Sequence, residues 1–422
     1  MAHNSSRARR TGAVLGKILI LVVSTVALMQ AGHRQRTTAD RGVGLEFIDT
    51  SIENASPLWY DVVDGVVRIH LLYDHERASP NRAAGHINFR VHARVGVQLT
   101  LEFLNLDNVW NGQPGSVAAE LRTVAISHDG QAWTTVPTDS LPDNRVQLRV
   151  QMAGPTLYVA RIEPYRLSDL ERLLASIRNS PLVRITSIGK TVAGRDLEMV
   201  QIGSPDAPYR AFVRARAHPW ESGSNWVAHG LVERLLKDDE EARRFLRVYS
   251  VSLLPMANKD GVARGGTRFN LRGADLNRGW DRPANPEIAP ENAALEQWLE
   301  GAVAAGRVPH LAVELHNDGS GRLHISRPPV SRLDRHLARM AIFEEVLRAK
   351  TWFTEGPTNA AFRNSGTLGD GWLQRYGIDA VVHELNCNWI AGLKDYSSSR
   401  HWRDYGANLA EVFHDYFVRV KP

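Results

Sequence analysis

The sequence predicts two folded domains: an all-β sandwich or jelly-roll-like domain, then an α/β domain with a mixed sheet and helices on both faces. Three observations lead to this prediction. The chain has 422 residues, 43% of them hydrophobic and 23% charged, which is typical of a globular protein long enough for two domains. Short runs with two-residue alternation fill residues 44–162. Strand-like runs then alternate with helical runs in residues 163–422.

Residues 1–33 have the features of a secretory signal. A basic stretch, "RARR", precedes an apolar segment from about Val14 to Ala31, which Lys17 interrupts. The uninterrupted apolar part is about fourteen residues long, shorter than the roughly twenty residues that span a bilayer. We therefore expect a signal peptide and an exported protein, periplasmic or extracellular. An uncleaved membrane anchor and a buried core helix are the alternatives.

Charge and cysteine content exclude several functions. The formal net charge of +5 comes from residues 1–41, where seven basic residues accompany Asp40 alone. The remainder is nearly neutral, so nothing supports a nucleic-acid partner. Cys387 is the only cysteine, so the chain forms no internal disulfide.

The β-rich part, residues 44–162, consists of runs separated by clusters of Asn, Asp, Gly and Pro. This spacing predicts an antiparallel sandwich domain. The runs include "VVRIHLLY", "INFRVHARV", "VQLTLEFLNL", "RVQLRVQM" and "TLYVARIE".

A change of pattern at residue 163 predicts the second domain, residues 163–422. Ser168 and Glu171, three residues apart, predict a capping box, and Leu170, Leu173 and Leu174 predict the apolar face of the helix that follows. Strand-like and helical runs then alternate, which favours a mixed or largely parallel sheet. They include "RAFVRARA", "GSNWVAHGLVERLLK", "RVYSVSLLPMA", "HLAVELH" and "IDAVVHEL".

Polar clusters follow the predicted strands, where open α/β sheets usually carry their sites. His218 and Glu221, in "RAHPWES", lie on a turn from a strand into a helix, and an imidazole with a carboxylate suits zinc. Alone, they are better explained by an exposed histidine and a first-turn glutamate that favours the helix dipole. His316 ends the strand "HLAVELH", and Glu384 ends the strand "IDAVVHEL". A lone histidine there is ordinarily structural.

The segment from Asn258 to Trp280 is rich in Gly, Asn, Asp and Arg, which predicts a long functional loop. Arginine binds carboxylates through two parallel hydrogen bonds, although a solvated basic loop is the alternative interpretation. Taken together, the clusters match the needs of a hydrolytic zinc site. Two histidines and one carboxylate leave a fourth position for water, and a second carboxylate can accept the proton of that water.

From about Pro181 to Pro422 the chain resembles the funnelin-type zinc carboxypeptidases, and most closely their cytosolic carboxypeptidase-like branch. The resemblance is carried by "ITSIGKTVAGRDLEMVQIG", "RAHPWES", "NKDGVARGGTRFNLRGADLNRGW", "ELH" and "HELN", in the order of the family motifs. It implies a mixed sheet of the eight-stranded type preceded by a β-sandwich domain. It also implies a metallocarboxypeptidase that acts on the C-termini of peptides or proteins.

The resemblance assigns roles to seven residues. His218, Glu221 and His316 resemble the three ligands of one zinc ion per chain, with water as the fourth. Glu384 resembles the general base that activates this water. Arg268 resembles the residue that polarises the scissile carbonyl. Asn277 and Arg278 resemble the clamp for the substrate carboxylate.

Several positions depart from the family pattern. Trp220 stands where the related branch has glycine, so we expect its ring to shape the mouth of the site. The position of the tyrosine that closes over the substrate falls on Phe362, with Tyr376 nearby. Cys387 lies three residues after Glu384, where we expect a buried small residue.

Export makes extracytoplasmic peptides or peptidoglycan stem peptides the expected substrates. Two alternative functions stay open on the sequence. One is an amidohydrolase or deacylase of the aspartoacylase-like type, and the other is a catalytically inactive relative that binds peptides.

Overall fold

The structure is a computed structural model that describes residues 42–77, 79–360 and 366–420. The predictions for residues 1–33 and for Phe362 lie outside the described residues. Within the described part, no helix has both the length and the apolar character required to cross a membrane.

The N-terminal β region, residues 45–160, forms two five-stranded sheets whose inner faces enclose one hydrophobic core. One sheet has the strand order β1-β6-β14-β10-β11 and the other has the order β12-β13-β7-β3-β2. A smaller sheet, β4-β5-β8-β9, lies beside them. This arrangement confirms the strand-rich region expected ahead of the α/β part. The strands are β1 (Leu45–Asp49), β2 (Leu58–Val63), β3 (Val66–Leu71), β4 (Asp74–His75), β5 (Arg82–Ala83), β6 (Asn88–Ala93), β7 (Gln98–Leu104), β8 (Asp107–Trp110), β9 (Gln113–Ser116), β10 (Thr123–Ser127), β11 (Thr134–Pro137), β12 (Asp139–Leu141), β13 (Arg145–Gln151) and β14 (Thr156–Ala160).

Local sequence explains these strands. In β3 the residues Val67, Ile69 and Leu71 are buried and alternate with partly exposed residues, which is the two-residue period of a half-buried strand. Asp64 and Gly65 both have positive φ, 52° and 81°, and join β2 to β3. Two consecutive residues in this conformation make the turn whose twist matches a hairpin.

The C-terminal α/β region contains a seven-stranded mixed sheet of order β15-β16-β18-β17-β19-β21-β20. The four central strands, β18, β17, β19 and β21, are parallel to one another. The outer strands β15, β16 and β20 each run antiparallel to the strands with which they pair. The resemblance implied an eight-stranded type of sheet. Among the described residues, the chain between β18 and β19 forms a loop and two helices and adds no strand. The strands are β15 (Val183–Lys190), β16 (Asp196–Ile202), β17 (Tyr209–Ala215), β18 (Tyr249–Leu254), β19 (Leu311–Asp318), β20 (Leu323–Ile325), β21 (Asp379–Asn386), β22 (Trp389–Ile390) and β23 (Asp395–Tyr396), the last two forming a separate ribbon.

Helices cover both faces of this sheet, as expected. In β17, Val213 and the residues two positions before and after it pack with α2, α6 and α8. Phe212 points to the opposite face of the sheet and packs with α5 and α7. Burial on both faces explains the nearly continuous apolar runs of the parallel strands. The helices are α1 (Leu167–Ile177), α2 (Ser222–Leu235), α3 (Glu240–Val248), α4 (Lys259–Ala263), α5 (Pro290–Ala304), α6 (Leu333–Lys350), α7 (Leu368–Tyr376) and α8 (Ser399–Arg419).

The start of α1 differs from the predicted capping box of Ser168 and Glu171. The Asp169 side chain accepts the backbone N–H of Arg166 at 2.7 Å, so the helix begins two residues earlier than predicted. The hydroxyl of Ser168 instead donates to the Glu53 carboxylate at 2.7 Å. The cap prediction was wrong because a carboxylate from the N-terminal β region, distant in sequence, binds the serine.

Candidate functional site

The candidate site forms where three neighbouring parallel strands end. The chain leaves β17 through Arg216, which has a positive φ of 62°, and reaches His218 and Glu221 just before α2. His316 lies in β19 and is paired in register with Glu384 of β21. Since neighbouring strands are about 4.8 Å apart, this topology brings residues nearly 170 positions apart to one crevice.

His218, Glu221 and His316 converge as the sequence predicts. Nδ1 of His218 lies 2.8 Å from Oε1 of Glu221, and Nδ1 of His316 lies 2.8 Å from Oε2 of the same carboxylate. The two Nδ1 atoms are 3.2 Å apart. All three side chains are at most 5% exposed. Two imidazole nitrogens and both carboxylate oxygens therefore face one small space, which is the donor set of a metal site.

Electrostatics within this trio favours charged groups despite burial. Burial raises the pKa of Glu221, but the His218 and His316 charges outweigh it and hold that pKa below its usual value. Burial lowers the pKa of His316, but the Glu221 and Glu314 carboxylates raise it well above the usual value.

A carboxylate lies behind each imidazole. Nε2 of His218 is 3.0 Å from Oδ1 of Asp275, and Nε2 of His316 is 3.1 Å from Oε1 of Glu314. Such partners hold the Nε2–H and leave Nδ1 as the ligand atom. Glu314 is in turn held by Arg214, whose Nε donates to it at 2.8 Å.

Sequence reasoning missed Asp275 and Glu314, although signals were present. Glu314 lies two residues before His316 on a buried strand, so both side chains point to the same face. Asp275 lies in "GADLN", two residues before Asn277. An acidic residue that shares a strand face with a candidate histidine ligand is the pattern that could have identified Glu314.

Arg268 lies beside the metal trio. Its Nε donates to Oδ2 of Asp275 at 2.8 Å, so one carboxylate binds both His218 and this guanidinium. Burial lowers the pKa of Arg268, but Asp275 and Glu221 raise it above its usual value, so the side chain stays charged.

Asn277 and Arg278 follow in the same loop. Oδ1 of Asn277 accepts the N–H of Leu368 at 3.0 Å, and its Nδ2 lies 3.2 Å from Nε2 of His316. Arg278 donates to the Asn277 carbonyl at 2.8 Å, and among the described residues no ion pair within 4 Å joins its guanidinium to a carboxylate. The charge of Arg278 is therefore available to a ligand.

Glu384 faces the trio from β21. Burial, together with Asp318, raises the pKa of Glu384 well above its usual value, and Glu221 and Glu120 act in the same direction. Its Oε2 makes no hydrogen bond with the described residues, and its Oε1 lies 3.7 Å from Nε2 of His324. A poorly solvated carboxylate of this kind readily accepts a proton.

Trp220 does not lie at the mouth of the site as expected. Its ring is 3% exposed and packs into the hydrophobic core of the N-terminal β region, while its indole N–H donates to Oε1 of Glu221 at 3.1 Å. The expectation was wrong because that core offers the large ring an apolar cavity. Cys387 is buried, as expected, and burial raises its pKa to about 12. The hydroxyl of Tyr376 is 3.4 Å from Glu296 on α5.

Part of the chain is similar to one known protein family. Residues 170–305, about a third of the chain, match the family model described as zinc carboxypeptidase. This range includes His218, Glu221, Arg268, Asn277 and Arg278. Over these residues the chain matches the zinc carboxypeptidase family, and the α/β region is called the carboxypeptidase domain on that basis.

Relatives of this carboxypeptidase domain are similar over part of their length. An uncharacterized protein of Zymomonas mobilis is 30% identical over 167 residues, 39% of this chain and 43% of that protein. Cytosolic carboxypeptidase 6 of Caenorhabditis elegans is 32% identical over 145 residues, 32% of each chain. Cytosolic carboxypeptidase 1 of Mus musculus is 37% identical over 176 residues, 38% of this chain and 14% of that protein. The chain thus spans less than half the length of these curated relatives.

Solved carboxypeptidase structures share the fold over nearly the whole chain. A metallo-carboxypeptidase from Burkholderia cenocepacia has a TM-score of 0.76 at 21% identity, covering 88% of this chain and 98% of that one. A metallo-carboxypeptidase from Pseudomonas aeruginosa, in complex with (2-guanidinoethylmercapto)succinic acid, has a TM-score of 0.70 at 24% identity, covering 88% and 100%. The likeness shows that the β region and the carboxypeptidase domain together form a known architecture.

Proposed function

We propose that the protein is a zinc-dependent metallocarboxypeptidase that hydrolyses the C-terminal peptide bond of peptides or proteins. The observation that carries this proposal is the convergence of His218, Glu221 and His316 on one small space, with Glu384 in register with His316 on the neighbouring strand. Oε2 of Glu384 has no hydrogen-bond partner among the described residues.

The residues present fit one zinc ion. Two Nδ1 atoms and a carboxylate are ligands that zinc prefers in catalytic sites, and each imidazole has a carboxylate behind it. When bound, zinc supplies Lewis acidity that polarises a carbonyl and makes water more acidic.

Glu384 is the proposed general base. It accepts the proton of the attacking water and returns it to the amine of the leaving residue. Its raised pKa suits both steps, because burial makes its charged form a stronger proton acceptor. Arg268 stabilises negative charge that develops on the carbonyl oxygen, and Asp275 holds its guanidinium in place before substrate arrives.

Arg278 and Asn277 are the proposed clamp for the terminal carboxylate of the substrate. A half-buried guanidinium with no carboxylate partner among the described residues is suited to bind one from a ligand. This clamp restricts cleavage to the last peptide bond.

We also propose that the protein is exported and acts on extracytoplasmic peptides or peptidoglycan stem peptides. The support is the basic and apolar pattern of residues 1–33, whereas the similar animal proteins are named cytosolic. Fractionation of cells that produce the full chain tests this proposal.

The test of function uses the zinc-loaded protein with a peptide that has a free C-terminus and the same peptide with an amidated C-terminus. We expect release of the last residue from the free acid only. Glu384→Gln should keep one zinc per chain and lose turnover by about 100-fold or more, because only the proton acceptor is removed. Equal cleavage of both peptides would indicate a general amidase or deacylase. Zinc binding without any cleavage would indicate a peptide-binding relative.

A further inference from the structure

We propose that the N-terminal β region holds the carboxypeptidase site in its working geometry through two positioning residues, Trp220 and Asp74. The inference rests on the proposed function and extends it, because it makes the β region part of the active site.

Trp220 joins the metal trio to the β region. It lies in the turn between His218 and Glu221, yet its ring belongs to the hydrophobic core of the other region. Gly85 faces the ring closely: a Cβ at this position would lie 2.6 Å from Cζ3 of Trp220, and its φ is +143°. The backbone of the β region is therefore shaped around this side chain.

Arg161 also contacts the ring. Its guanidinium carbon lies 3.6 Å from the ring centroid, which is a close cation–π contact. The same guanidinium is held by Glu120 at 3.2 Å. Both partners belong to or directly follow the β region, so the orientation of the indole is determined there.

The indole N–H transmits this orientation to a metal ligand. It donates to Oε1 of Glu221 at 3.1 Å, the oxygen that also faces Nδ1 of His218. Hydrogen bonds to a ligating carboxylate set its orientation, and their loss typically weakens metal binding about 10- to 100-fold.

Asp74 acts on the loop that carries Arg268. Its Oδ2 accepts three consecutive backbone N–H groups, those of Thr267, Arg268 and Phe269, at 3.2, 2.8 and 2.9 Å. Trp110, also from the β region, has its ring centroid 5.3 Å from the Arg268 guanidinium. The position of Arg268 beside the metal trio therefore depends on a carboxylate from the β region.

The Trp220 contact is tested by the zinc affinity of Trp220→Phe, measured by competition with a chelator. Phenylalanine keeps an aromatic ring in the core and removes the N–H, so we expect affinity to fall about 10-fold or more. The matched control is Trp226→Phe on α2, which removes an indole N–H that donates to the Glu163 carbonyl at 3.2 Å. The control should keep the wild-type affinity.

A second variant separates loss of the indole N–H from loss of packing, in case Trp220→Phe does not fold. Benzothienylalanine at position 220 has the shape of tryptophan with sulfur in place of N–H, so packing is retained. Weakened zinc binding in this variant, with an unchanged melting temperature of the metal-free protein, supports the positioning role. Wild-type affinity in both variants would overturn it.

The Asp74 contact is tested by kinetics of Asp74→Ala. Misplacing Arg268 should lower kcat about 10-fold or more with KM nearly unchanged, because Arg268 acts on charge that develops during reaction. Asp74→Asn keeps an acceptor oxygen and should recover part of kcat. The control Asp49→Asn removes a carboxylate of the β region that binds Arg90, 2.9 Å away, and should keep wild-type kcat.

An unchanged kcat in Asp74→Ala, or an equal loss in Asp49→Asn, would contradict the role of Asp74. If the wild-type protein binds zinc but releases no residue from any peptide, the proposed function fails. The Trp220 affinity comparison then decides the inference by itself.

Discussion

Asp275 illustrates how one buried carboxylate serves two groups of the site. It binds Nε2 of His218 and the guanidinium of Arg268. Burial raises the pKa of Asp275, but Arg268 and His218 outweigh it and hold the pKa well below its usual value. A carboxylate that stays ionised throughout the neutral range keeps His218 and Arg268 in fixed positions at working pH.

Arg278 is the residue of the proposed carboxylate clamp that a single substitution can test. Arg278→Ala should raise KM for free-acid peptides about 10-fold or more, because a charge-assisted pair with the terminal carboxylate is lost. Steady-state kinetics on a free-acid peptide measures this. Arg282→Ala, which removes a nearby exposed arginine, is the control and should leave KM unchanged. A wild-type KM in Arg278→Ala would exclude the clamp role.

At the scale of elements, α2 and α8 cross at two glycines. A Cβ on Gly230 would lie 2.0 Å from the Arg403 carbonyl oxygen, and one on Gly406 would lie 1.9 Å from the Val227 carbonyl oxygen. Since α2 begins directly after Glu221, this close crossing also sets where the metal trio lies. Helices can approach so closely only where neither carries a side chain.

Glycine replacements at this crossing should therefore destabilise the protein. We expect Gly230→Ala and Gly406→Ala each to lower the free energy of unfolding by about 1–3 kcal/mol, because a packed core resists added atoms. Gly301→Ala on α5 is the control, since a Cβ there has no neighbour within 4 Å among the residues that the structure describes. It should raise the free energy of unfolding by about 0.5–1 kcal/mol. Urea denaturation measures all three, and a stable Gly230→Ala would contradict the packing argument.

At the scale of the whole molecule, the β region and the carboxypeptidase domain share a buried polar interface. His86 lies in the loop before β6, and its Nε2 is 2.8 Å from the Asn54 carbonyl oxygen. Its backbone N–H donates to the hydroxyl of Thr267, in the carboxypeptidase domain, at 3.3 Å. Burial, with the nearby Arg216 and Arg161 charges, lowers the pKa of His86 to about 4. The histidine is therefore neutral in the folded protein at neutral pH.

This shift predicts a pH dependence of stability. In the unfolded chain a histidine gains its proton near pH 6.5, so the unfolded state binds more protons between about pH 6.5 and 4. Stability from His86 is present above pH 6.5 and is lost as pH falls toward 4. Between pH 7 and pH 5 we expect the free energy of unfolding of the metal-free wild-type protein to fall by about 2 kcal/mol more than that of His86→Gln.

Denaturation with a chelator present at both pH values measures this difference, because zinc release is then excluded. His128→Gln, which replaces an exposed histidine, is the control and should keep the wild-type loss. An equal fall in the free energy of unfolding in wild type and His86→Gln would show that His86 does not contribute to the pH dependence of stability.

Much of the architecture could be predicted from the sequence. Two-residue alternation predicted the β region, and apolar strands alternating with helices predicted the mixed sheet, because each pattern follows from which faces are buried. The order of motifs predicted His218, Glu221 and His316, and the structure brings them together. Their roles, and those of Glu384, Arg268, Asn277 and Arg278, stay predictions.

The sequence by itself determined the regular elements and the candidate ligands, because period and residue type are local properties. Only the tertiary structure decided which partners they meet. Ser168 binds Glu53 rather than capping its own helix, Trp220 enters the core of the β region, and Asp74 binds the loop of Arg268. These contacts join residues distant in the chain, and no local pattern records them, because they depend on how the two regions pack against each other.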